Sequence, residues 1–310
     1  MNSNSSIWKR IVNLLPVVPV YIIIISVTLV VTKFYLFDYK GFTLIKVLVS
    51  LIFYPMVFMV VLTHSLSMCN SPGFVEKGWT PPEKLDGFSN SHNGGETPNF
   101  CKKCKNYRPD RAHHCKICQK CVLKMDHHCP WVANCVGFNN QKTFYQFLFF
   151  STFADMIAVI ILVCKLWDLE GDLKDSQDRL AVIQSISELI WAFIVPISIV
   201  ICILLAAAMT ISIGILFIFQ TKMVMNNQTT IENHIFSDPK ESPWYFPDKM
   251  HNFKIVMGER FLDWITPTFT PNKYNFGFSF TKPDNNFNLQ NGKSYFNLND
   301  VESPTEINGV

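Results

Sequence analysis

Charge is scarce in this sequence. Only 16% of its 310 residues are Asp, Glu, Lys or Arg, and their formal sum at pH 7 is +3, whereas about 25% of an average soluble domain is charged. A net charge this small, which also counts every thiol as neutral, does not indicate nucleic acid as a partner. The composition alone would still fit a soluble domain. The class of protein is indicated instead by where the uncharged stretches lie along the sequence.

Charged residues are missing from three long stretches, and a fourth contains only Asp155. The stretches are Ile11–Thr32, Val47–Thr63, Leu189–Gln220 and Phe144–Cys164. Each is long enough, or nearly so, to cross a bilayer core, which takes about 20 apolar residues. We therefore predict four transmembrane helices, at about residues 11–33, 44–66, 144–165 and 189–219. Within the third, Asp155 is expected either to line a cavity or to lie near the membrane surface.

A cleavable signal peptide is not indicated. The first apolar stretch is too long for the apolar part of such a peptide, and no small-residue cleavage site follows it. It contains Pro16 and Pro19, which membrane helices tolerate. We therefore expect this stretch to be a retained membrane helix.

Basic residues are concentrated between the second and third predicted helices. Residues 67–143 contain eleven Lys or Arg, whereas residues 166–188 contain two, against six acidic residues. The excess of basic residues marks the cytosolic side, and an even number of helices then places both termini there too. The short first loop, with Lys33, Lys40 and Lys46, runs against this assignment.

Cysteine and histidine are concentrated in one segment of the predicted cytosolic loop. Seven of the ten cysteines lie between Cys101 and Cys135. Disulfides are disfavoured in the cytosol, so such a pattern indicates metal. Cys101-x-x-Cys104 and Cys115-x-x-Cys118 each supply half of a tetrahedral zinc site. Two sites need eight ligands, and seven cysteines with four histidines offer eleven, so three residues are left over.

The choice of spare residues decides whether this segment has chemistry of its own. Two adjacent histidines rarely bind one tetrahedral ion, so one ring from each His-His pair is expected to bind zinc. If Cys121 and Cys135 complete the sites, then Cys129 is spare beside His127 and Asp126, which together would form an activated nucleophile. Spacing alone also allows Cys129 to be a ligand in place of Cys121 or Cys135.

The segment resembles the DHHC family of protein S-acyltransferases, or palmitoyltransferases. The matching signature is Cys101-x2-Cys104-x9-His114-Cys115-x2-Cys118-x2-Cys121-x4-Asp126-His127-His128-Cys129-x5-Cys135. Further along, Thr229-Thr230-Ile231-Glu232 resembles the family's TTxE motif, and the stretch from Asn252 to Gly258 resembles its C-terminal motif. One departure is Ser71-Pro72-Gly73, which stands where the family usually has Asp-Pro-Gly.

The resemblance implies two structural Zn²⁺ ions and a catalytic group. One ion would be bound by Cys101, Cys104, His114 and Cys121, and the other by Cys115, Cys118, His128 and Cys135. The catalytic group would be the nucleophile Cys129, the base His127 and the orienting acid Asp126. The chain would move a long acyl group from palmitoyl-CoA to cysteine thiols through an S-acyl enzyme.

The resemblance also suggests supporting residues. Arg108, Arg111 and His113 would meet the phosphates of coenzyme A, or equally form a basic surface against anionic lipid. Thr230 would position Asp126, unless the motif only caps a helix. Asn252 would make structural hydrogen bonds.

We therefore predict an α-helical integral membrane protein, with four transmembrane helices and a cytosolic zinc-binding Cys-rich domain between helices 2 and 3. The expected parts are a cytosolic tail (1–10), helices 1 and 2 (11–66), the Cys-rich domain (67–143), helices 3 and 4 with a luminal loop (144–219), a cytosolic C-terminal segment (220–267) and a mobile tail (268–310).

We expect a multi-pass protein of an endomembrane (vacuole, Golgi or endoplasmic reticulum), with its site on the cytosolic face. Its partners would be palmitoyl-CoA, the lipid bilayer, and cytosolic or membrane-associated proteins with accessible cysteines. The competing hypothesis is a membrane-anchored zinc module that binds other proteins without catalysis, such as a RING-like ubiquitin-ligase subunit. Such a module would have no use for a spare Asp-His-Cys group.

Overall fold

The structure is a computed structural model, and it describes residues 12–37, 43–81, 99–174, 186–268 and 280. The predicted N-terminal tail and nearly all of the predicted tail beyond residue 268 lie outside the described residues. Every structural statement below concerns the described residues only.

Four long apolar helices form the membrane part of the chain. They are α1 (Val17–Val31, continued by a π-helical turn over Thr32–Phe37), α2 (Thr43–Cys69), α3 (Gln141–Lys174) and α4 (Ile186–Met225). The segments long and apolar enough to cross a membrane are Val12–Val31, Leu44–Cys69, Gln141–Trp167 and Pro196–Met225. The predicted fold class, with four such helices and the Cys-rich region between the second and third, is confirmed.

Large apolar side chains point outward along these helices. Leu51, Leu204 and Ile218 are 66%, 65% and 69% exposed. In water, contiguous apolar surface of this size is unfavourable, whereas lipid tails solvate it well. Pro55 and Pro196 lie inside α2 and α4, where a membrane environment tolerates them. These features identify the outer face of the bundle as the lipid-facing one.

An apolar cavity lies inside the bundle, where α3 packs against both α2 and α4. It has a volume of about 50 Å³, and its wall includes Val27 of α1, Phe53 of α2, Phe147 of α3 and Met209 of α4. Asp155 is part of this wall. Of the two positions considered for that acid, the structure therefore places it beside the cavity.

Three short antiparallel hairpins form the Cys-rich region. They pair β1 (Phe100–Cys101) with β2 (Asn106–Tyr107), β3 (His113–Cys115) with β4 (Lys120–Val122), and β5 (His127–Cys129) with β6 (Asn134–Val136). The pairs Cys101–Asn106, Cys115–Lys120 and Cys129–Asn134 have the same register in the three hairpins. Each pair lies 14 residues after the one before it, so the hairpins repeat one unit.

The turns of the hairpins repeat as well. Lys105, Gln119 and Ala133, again 14 residues apart, have φ of 52°, 56° and 49°, a left-handed conformation uncommon for residues other than glycine. In the first two hairpins this residue follows the second cysteine of a C-x-x-C pair. In the third hairpin, Val132 stands at the position of that second cysteine. Cys129 is therefore the first member of a pair whose second member is missing.

The end of α2 holds the hairpins against the membrane. Just past it, the carbonyls of Gly73 and Pro72 accept hydrogen bonds from the N–H groups of Leu123 and Asn139. The Oγ of Ser71 accepts a hydrogen bond from the Gly73 N–H at 3.3 Å. A serine can form this local turn much as an aspartate does, so the departure from Asp-Pro-Gly leaves the turn intact.

The C-terminal segment folds back onto the base of the bundle. It contains α5 (Thr230–Ile235), α6 (Lys249–Met257) and α7 (Phe261–Ile265). Gln146 of α3 donates to the carbonyls of Trp264 and Thr266 at 2.9 and 3.1 Å. This contact attaches the end of α7 to α3.

Candidate active site

Eight residues of the three hairpins form two compact ligand groups. Cys101, Cys104, His114 and Cys121 form one, and Cys115, Cys118, His128 and Cys135 form the other; the ligand atoms of each group lie within 4.8 Å of one another. Both histidines direct Nδ1 toward the cysteine sulfurs. Each group thus provides three sulfurs and one nitrogen, a donor set typical of structural zinc.

The distances inside the groups fit zinc. Tetrahedral Zn²⁺, with Zn–S of about 2.3 Å and Zn–N of about 2.0 Å, separates its ligand atoms by roughly 3.5–3.8 Å. The Sγ of Cys104 lies 3.7 Å from the Sγ of Cys121 and 3.2 Å from Nδ1 of His114. In the second group, the Sγ of Cys118 lies 3.5 Å from the Sγ of Cys135 and 3.4 Å from Nδ1 of His128. Both groups could therefore bind zinc.

Each ligand group connects two neighbouring hairpins. The C-x-x-C pair of one hairpin is joined by a histidine and a cysteine of the next, as Cys115 and Cys118 are joined by His128 and Cys135. Within the pairs, the Cys104 and Cys118 N–H groups donate to the Sγ of Cys101 and Cys115 at 3.4 and 3.3 Å. Two ions would thus connect the hairpins in a row, in a region with little apolar core of its own.

Cys129 lies outside both groups. Its side chain is 5% exposed and packs in an apolar cluster with Val60 and Phe147, both of which line the membrane cavity. Cys121 and Cys135, the two residues that Cys129 could have replaced as a ligand, each belong to a group. The structure therefore places one free thiol at the wall of the cavity.

His127 connects this thiol to a buried carboxylate. The Nδ1 of His127 lies 2.6 Å from the Oδ2 of Asp126, whose side chain is 1% exposed. Because an ionised carboxylate only accepts hydrogen bonds, Nδ1 is the donor. Nε2 is left to exchange a proton with the Cys129 side chain, which is close enough to influence the protonation of the ring. The arrangement of thiol, imidazole and carboxylate is that of an activated nucleophile.

The charges of the group favour a proton on His127. Burial disfavours the charged imidazole, but hydrogen bonds to Asp126 and Cys129 outweigh burial and raise the pKa of His127 to about 9. Burial likewise disfavours the Asp126 carboxylate, yet its hydrogen bonds, first of all the one to His127, lower the pKa of Asp126. At pH 7 the doubly protonated, positively charged His127 ring is therefore favoured beside the ionised Asp126, so a proton that leaves the Cys129 thiol would be held on this ring.

Three further donors hold the Asp126 carboxylate. The Thr230 N–H donates to Oδ1 at 2.6 Å, and the Thr230 hydroxyl and the Gln220 side-chain amide donate to Oδ2, each at 3.0 Å. Thr229 meanwhile caps α5 in a reciprocal capping box with Glu232. Thr229 therefore caps the helix, while Thr230 bonds to Asp126, so both of the contacts that were considered as alternatives for this motif are present. Gln220 is a site residue that the sequence analysis missed.

Arg111 is placed differently from the expectation that it meets phosphate. Its guanidinium binds both carboxylate oxygens of Glu232, at 2.6 and 2.7 Å, and also the Asn227 side chain and carbonyl. The Arg111 side chain is 0% exposed, so it cannot reach a phosphate in this structure. Its contacts instead connect the second hairpin to α5.

Arg108 and His113 are only partly buried. Nη1 of Arg108 bonds to the Ala112 carbonyl and to the His113 ring. Burial and the nearby Arg108 charge lower the pKa of His113 to about 4, so the ring is neutral at pH 7. Arg108 is therefore the one residue of the three that keeps accessible positive charge.

Asn252 lies away from the catalytic group. Its side-chain amide donates to the carbonyls of Met225 and Phe246 at 2.9 and 2.8 Å, and the residue is 0% exposed. These bonds attach α6 to the end of α4. The contacts are structural, as expected for this residue.

Fold and site together describe a chain with four helices that could cross a membrane, a cysteine-rich region with two groups that could bind zinc, and a thiol outside both groups near an imidazole and a carboxylate. A family model described as "DHHC palmitoyltransferase" matches residues 95–236. "Probable protein S-acyltransferase 15" of Arabidopsis thaliana is 32% identical over 67% of this chain and 79% of its own length. "Palmitoyltransferase ZDHHC3" of Rattus norvegicus is 30% identical over 72% of this chain and 70% of its own length.

The chain belongs to the DHHC palmitoyltransferase family of protein S-acyltransferases. A second relative, "Probable protein S-acyltransferase 13" of Arabidopsis thaliana, is 32% identical over 74% of both chains. The predicted family and enzyme class are confirmed. The alternative of a zinc module without catalysis is not favoured, since these relatives are named as acyltransferases.

The adjacent residues His127 and His128 provide a matched test of the ligand groups. His128→Ala removes a ligand nitrogen, so we expect it to lower bound zinc from two ions per chain to about one. His127→Ala leaves both groups intact and is expected to keep two. Elemental analysis of the purified, detergent-solubilised variants measures both values. Loss of zinc from His127→Ala alone would reverse the two assignments.

Proposed function

We propose that this chain transfers a long-chain acyl group from acyl-CoA to protein cysteines through an S-acyl intermediate on Cys129. One observation carries the proposal. A thiol that belongs to neither ligand group lies close enough to His127, which Asp126 orients, to influence its protonation, and packs in an apolar cluster with residues that line a cavity. A soluble thiol enzyme would not need that cavity, and a structural zinc module would not need that thiol.

The cavity suits a long acyl chain. Along α3 its wall extends from Phe147 to Ala158, eleven residue steps, or about 16 Å of helix. Each buried CH2 contributes about 0.8 kcal/mol, so a sixteen-carbon chain would gain strongly from lying along this apolar wall. The thioester carbonyl at the end of such a chain would then lie beside Cys129.

The first half of the reaction acylates the enzyme. His127 Nε2 takes the proton of the Cys129 thiol while Asp126 accepts the hydrogen bond from Nδ1. The thiolate attacks the thioester carbonyl, an S–C bond forms, and the bond to the coenzyme A sulfur breaks. The departing sulfur receives the proton from His127.

The second half transfers the acyl group to protein. A substrate cysteine gives its proton to His127 and attacks the acyl carbonyl on Cys129. The new thioester forms as the old one breaks, and the Cys129 sulfur regains its proton from His127. Thr230 acts as a positioning residue through its two bonds to Asp126. Zinc, when bound, supplies a structural cross-link between hairpins and no step of this chemistry.

The thiol assignment is tested with labelled palmitoyl-CoA. The wild-type chain should gain a label that neutral hydroxylamine releases, as it does any thioester. Cys129→Ser should gain no such label and still bind two zinc ions, because Cys129 is not a ligand. Cys135→Ser, from the same hairpin, should lose zinc as well as label.

Two outcomes would contradict the assignment. If Cys129→Ser is still labelled and the label remains sensitive to hydroxylamine, another thiol carries the acyl group. If Cys129→Ser loses zinc, Cys129 is a ligand and the free thiol lies elsewhere.

The phosphates of coenzyme A would be met by Arg108. It is partly exposed, and its guanidinium contacts the Ala112 carbonyl and the His113 ring through Nη1. Arg108→Gln should raise KM for palmitoyl-CoA about two- to fivefold, the worth of one exposed ion pair, and leave the melting temperature almost unchanged. A KM that does not rise in this variant would remove Arg108 from the site.

Arg111→Gln is the matched control for the Arg108 variant. It leaves Glu232 buried and unpaired, which should cost roughly 3–5 kcal/mol of stability and lower the melting temperature. If this variant instead kept its stability and raised KM as Arg108→Gln does, Arg111 itself would meet the phosphates.

We further propose that Cys129 and both termini face the cytosol of an endomembrane. The Lys and Arg excess in residues 67–143 supports this orientation. A glycosylation cassette inserted between residues 175 and 185 should therefore be glycosylated, and the same cassette fused to the C-terminus should not. Glycosylation of the C-terminal cassette alone would reverse the orientation.

A further inference from the structure

A buried histidine in the second membrane helix takes no part in the mechanism above. His64 lies near the cytosolic end of α2 and is 0% exposed. Ionisable residues inside membrane helices are costly, and they are commonly functional where they occur. The contacts of His64 suggest what it does.

Both ring nitrogens of His64 have partners. Nε2 lies 3.0 Å from the backbone carbonyl of Trp131, and Nδ1 lies 3.1 Å from the hydroxyl of Tyr21 in α1. A carbonyl only accepts hydrogen bonds, so Nε2 carries the proton. In the neutral ring, Nδ1 then accepts from the Tyr21 hydroxyl, which also contacts the Ser65 hydroxyl at 3.0 Å. The ring orientation is thus fixed from both sides.

The carbonyl that His64 binds belongs to the turn that follows the nucleophile. Trp131 is the middle residue of a 3-10 turn over Pro130–Val132, directly after Cys129. The same hairpin is held a second time, because the Asn134 side-chain amide lies 2.8 Å from the Asn70 carbonyl at the end of α2. Asn134 fixes the far strand of the hairpin, whereas His64 fixes the turn that carries the thiol.

The same histidine supports the wall of the cavity. Its ring packs edge-on against Phe147, with ring centroids 5.0 Å apart and planes at 67°, and Phe147 lines the cavity. Phe147 also packs in the apolar cluster that contains Cys129. One side chain therefore contacts both the turn next to the thiol and the wall along which the acyl chain would lie.

We infer that His64 is a positioning residue for acyl transfer. It holds the turn after Cys129 and the Phe147 side chain of the cavity wall in fixed positions relative to each other. This inference rests on the proposed function. Removing the Nε2 donor takes away the hydrogen bond that holds the Trp131 carbonyl, and the turn can then rotate away from the thioester. The loss should fall on the rate of acylation more than on the binding of acyl-CoA.

Four variants test this role. His64→Leu removes both hydrogen bonds, His64→Gln keeps a donor of similar reach, and Tyr21→Phe removes only the group that orients the ring. Phe58→Leu is the control, because Phe58 is a 65% exposed residue of the same helix. The measurements are the single-turnover rate of Cys129 acylation by palmitoyl-CoA, KM for palmitoyl-CoA, and bound zinc.

We expect His64→Leu to slow acylation about tenfold or more, the effect of one lost buried hydrogen bond. KM should change less than about twofold, and zinc should stay at two ions per chain. His64→Gln should recover most of the rate, Tyr21→Phe should lie between the two, and Phe58→Leu should match the wild type. A purely structural role would reduce zinc and protein yield without separating rate from KM.

The inference is overturned if His64→Leu acylates at the wild-type rate, or if His64→Gln is as slow as His64→Leu. If His64→Leu does not give zinc-loaded protein, the Tyr21→Phe variant tests the inference instead. A wild-type acylation rate in Tyr21→Phe would show that the orientation of the His64 ring does not matter for acylation. These results are distinct from failure of the proposed function, in which the wild-type chain itself would gain no hydroxylamine-sensitive label.

Discussion

The buried carboxylate of Asp126 is the point at which separate parts of this chain meet. It accepts hydrogen bonds from its neighbour His127, from Gln220 near the end of α4, and from the backbone and hydroxyl of Thr230 at the start of α5. A buried charge without such partners would be strongly destabilising. The third hairpin, the fourth membrane helix and the C-terminal segment must therefore come together before the carboxylate is satisfied, and His127 is oriented only when they do.

The nucleophile results from a repeated unit that changes once. Three hairpins with one register and one turn conformation follow each other at 14-residue intervals. The first two carry complete C-x-x-C pairs, whereas in the third Val132 replaces the second cysteine and the sulfur of Cys129 is left without a metal partner. The second ligand group, which includes His128 and Cys135 of this hairpin, would hold the hairpin rigid once zinc is bound, while the thiol packs in an apolar cluster with residues of the cavity wall. A rigid frame of this kind suits catalysis, because the position of the attacking atom controls the rate.

Some site residues could be predicted and others could not, for physical reasons specific to each. Cys129 was left open as a possible ligand, although the 14-residue spacing and the valine at position 132 were a signal in the sequence that could have separated it from Cys121 and Cys135. Arg111 was expected to meet phosphate, and in the structure it is buried against Glu232 instead. The sequence near Arg111 gives no sign of this pairing, because the glutamate lies 121 positions away. Gln220 and His64 were not singled out, since one polar residue in an apolar run has no pattern that reports its partner.

The sequence by itself determined the class of this protein, its four membrane helices and the residue types of its metal groups. Those properties follow from local quantities: the length of uncharged stretches, the spacing of cysteines and the number of ligands that zinc requires. Only the tertiary structure decided which carboxylate, amide and hydroxyl surround Asp126, that Arg111 pairs with Glu232, and that His64 reaches the turn beside Cys129. These contacts join residues far apart in the chain, and a hydrogen bond depends on distances of a few tenths of an ångström, which spacing along a sequence does not specify.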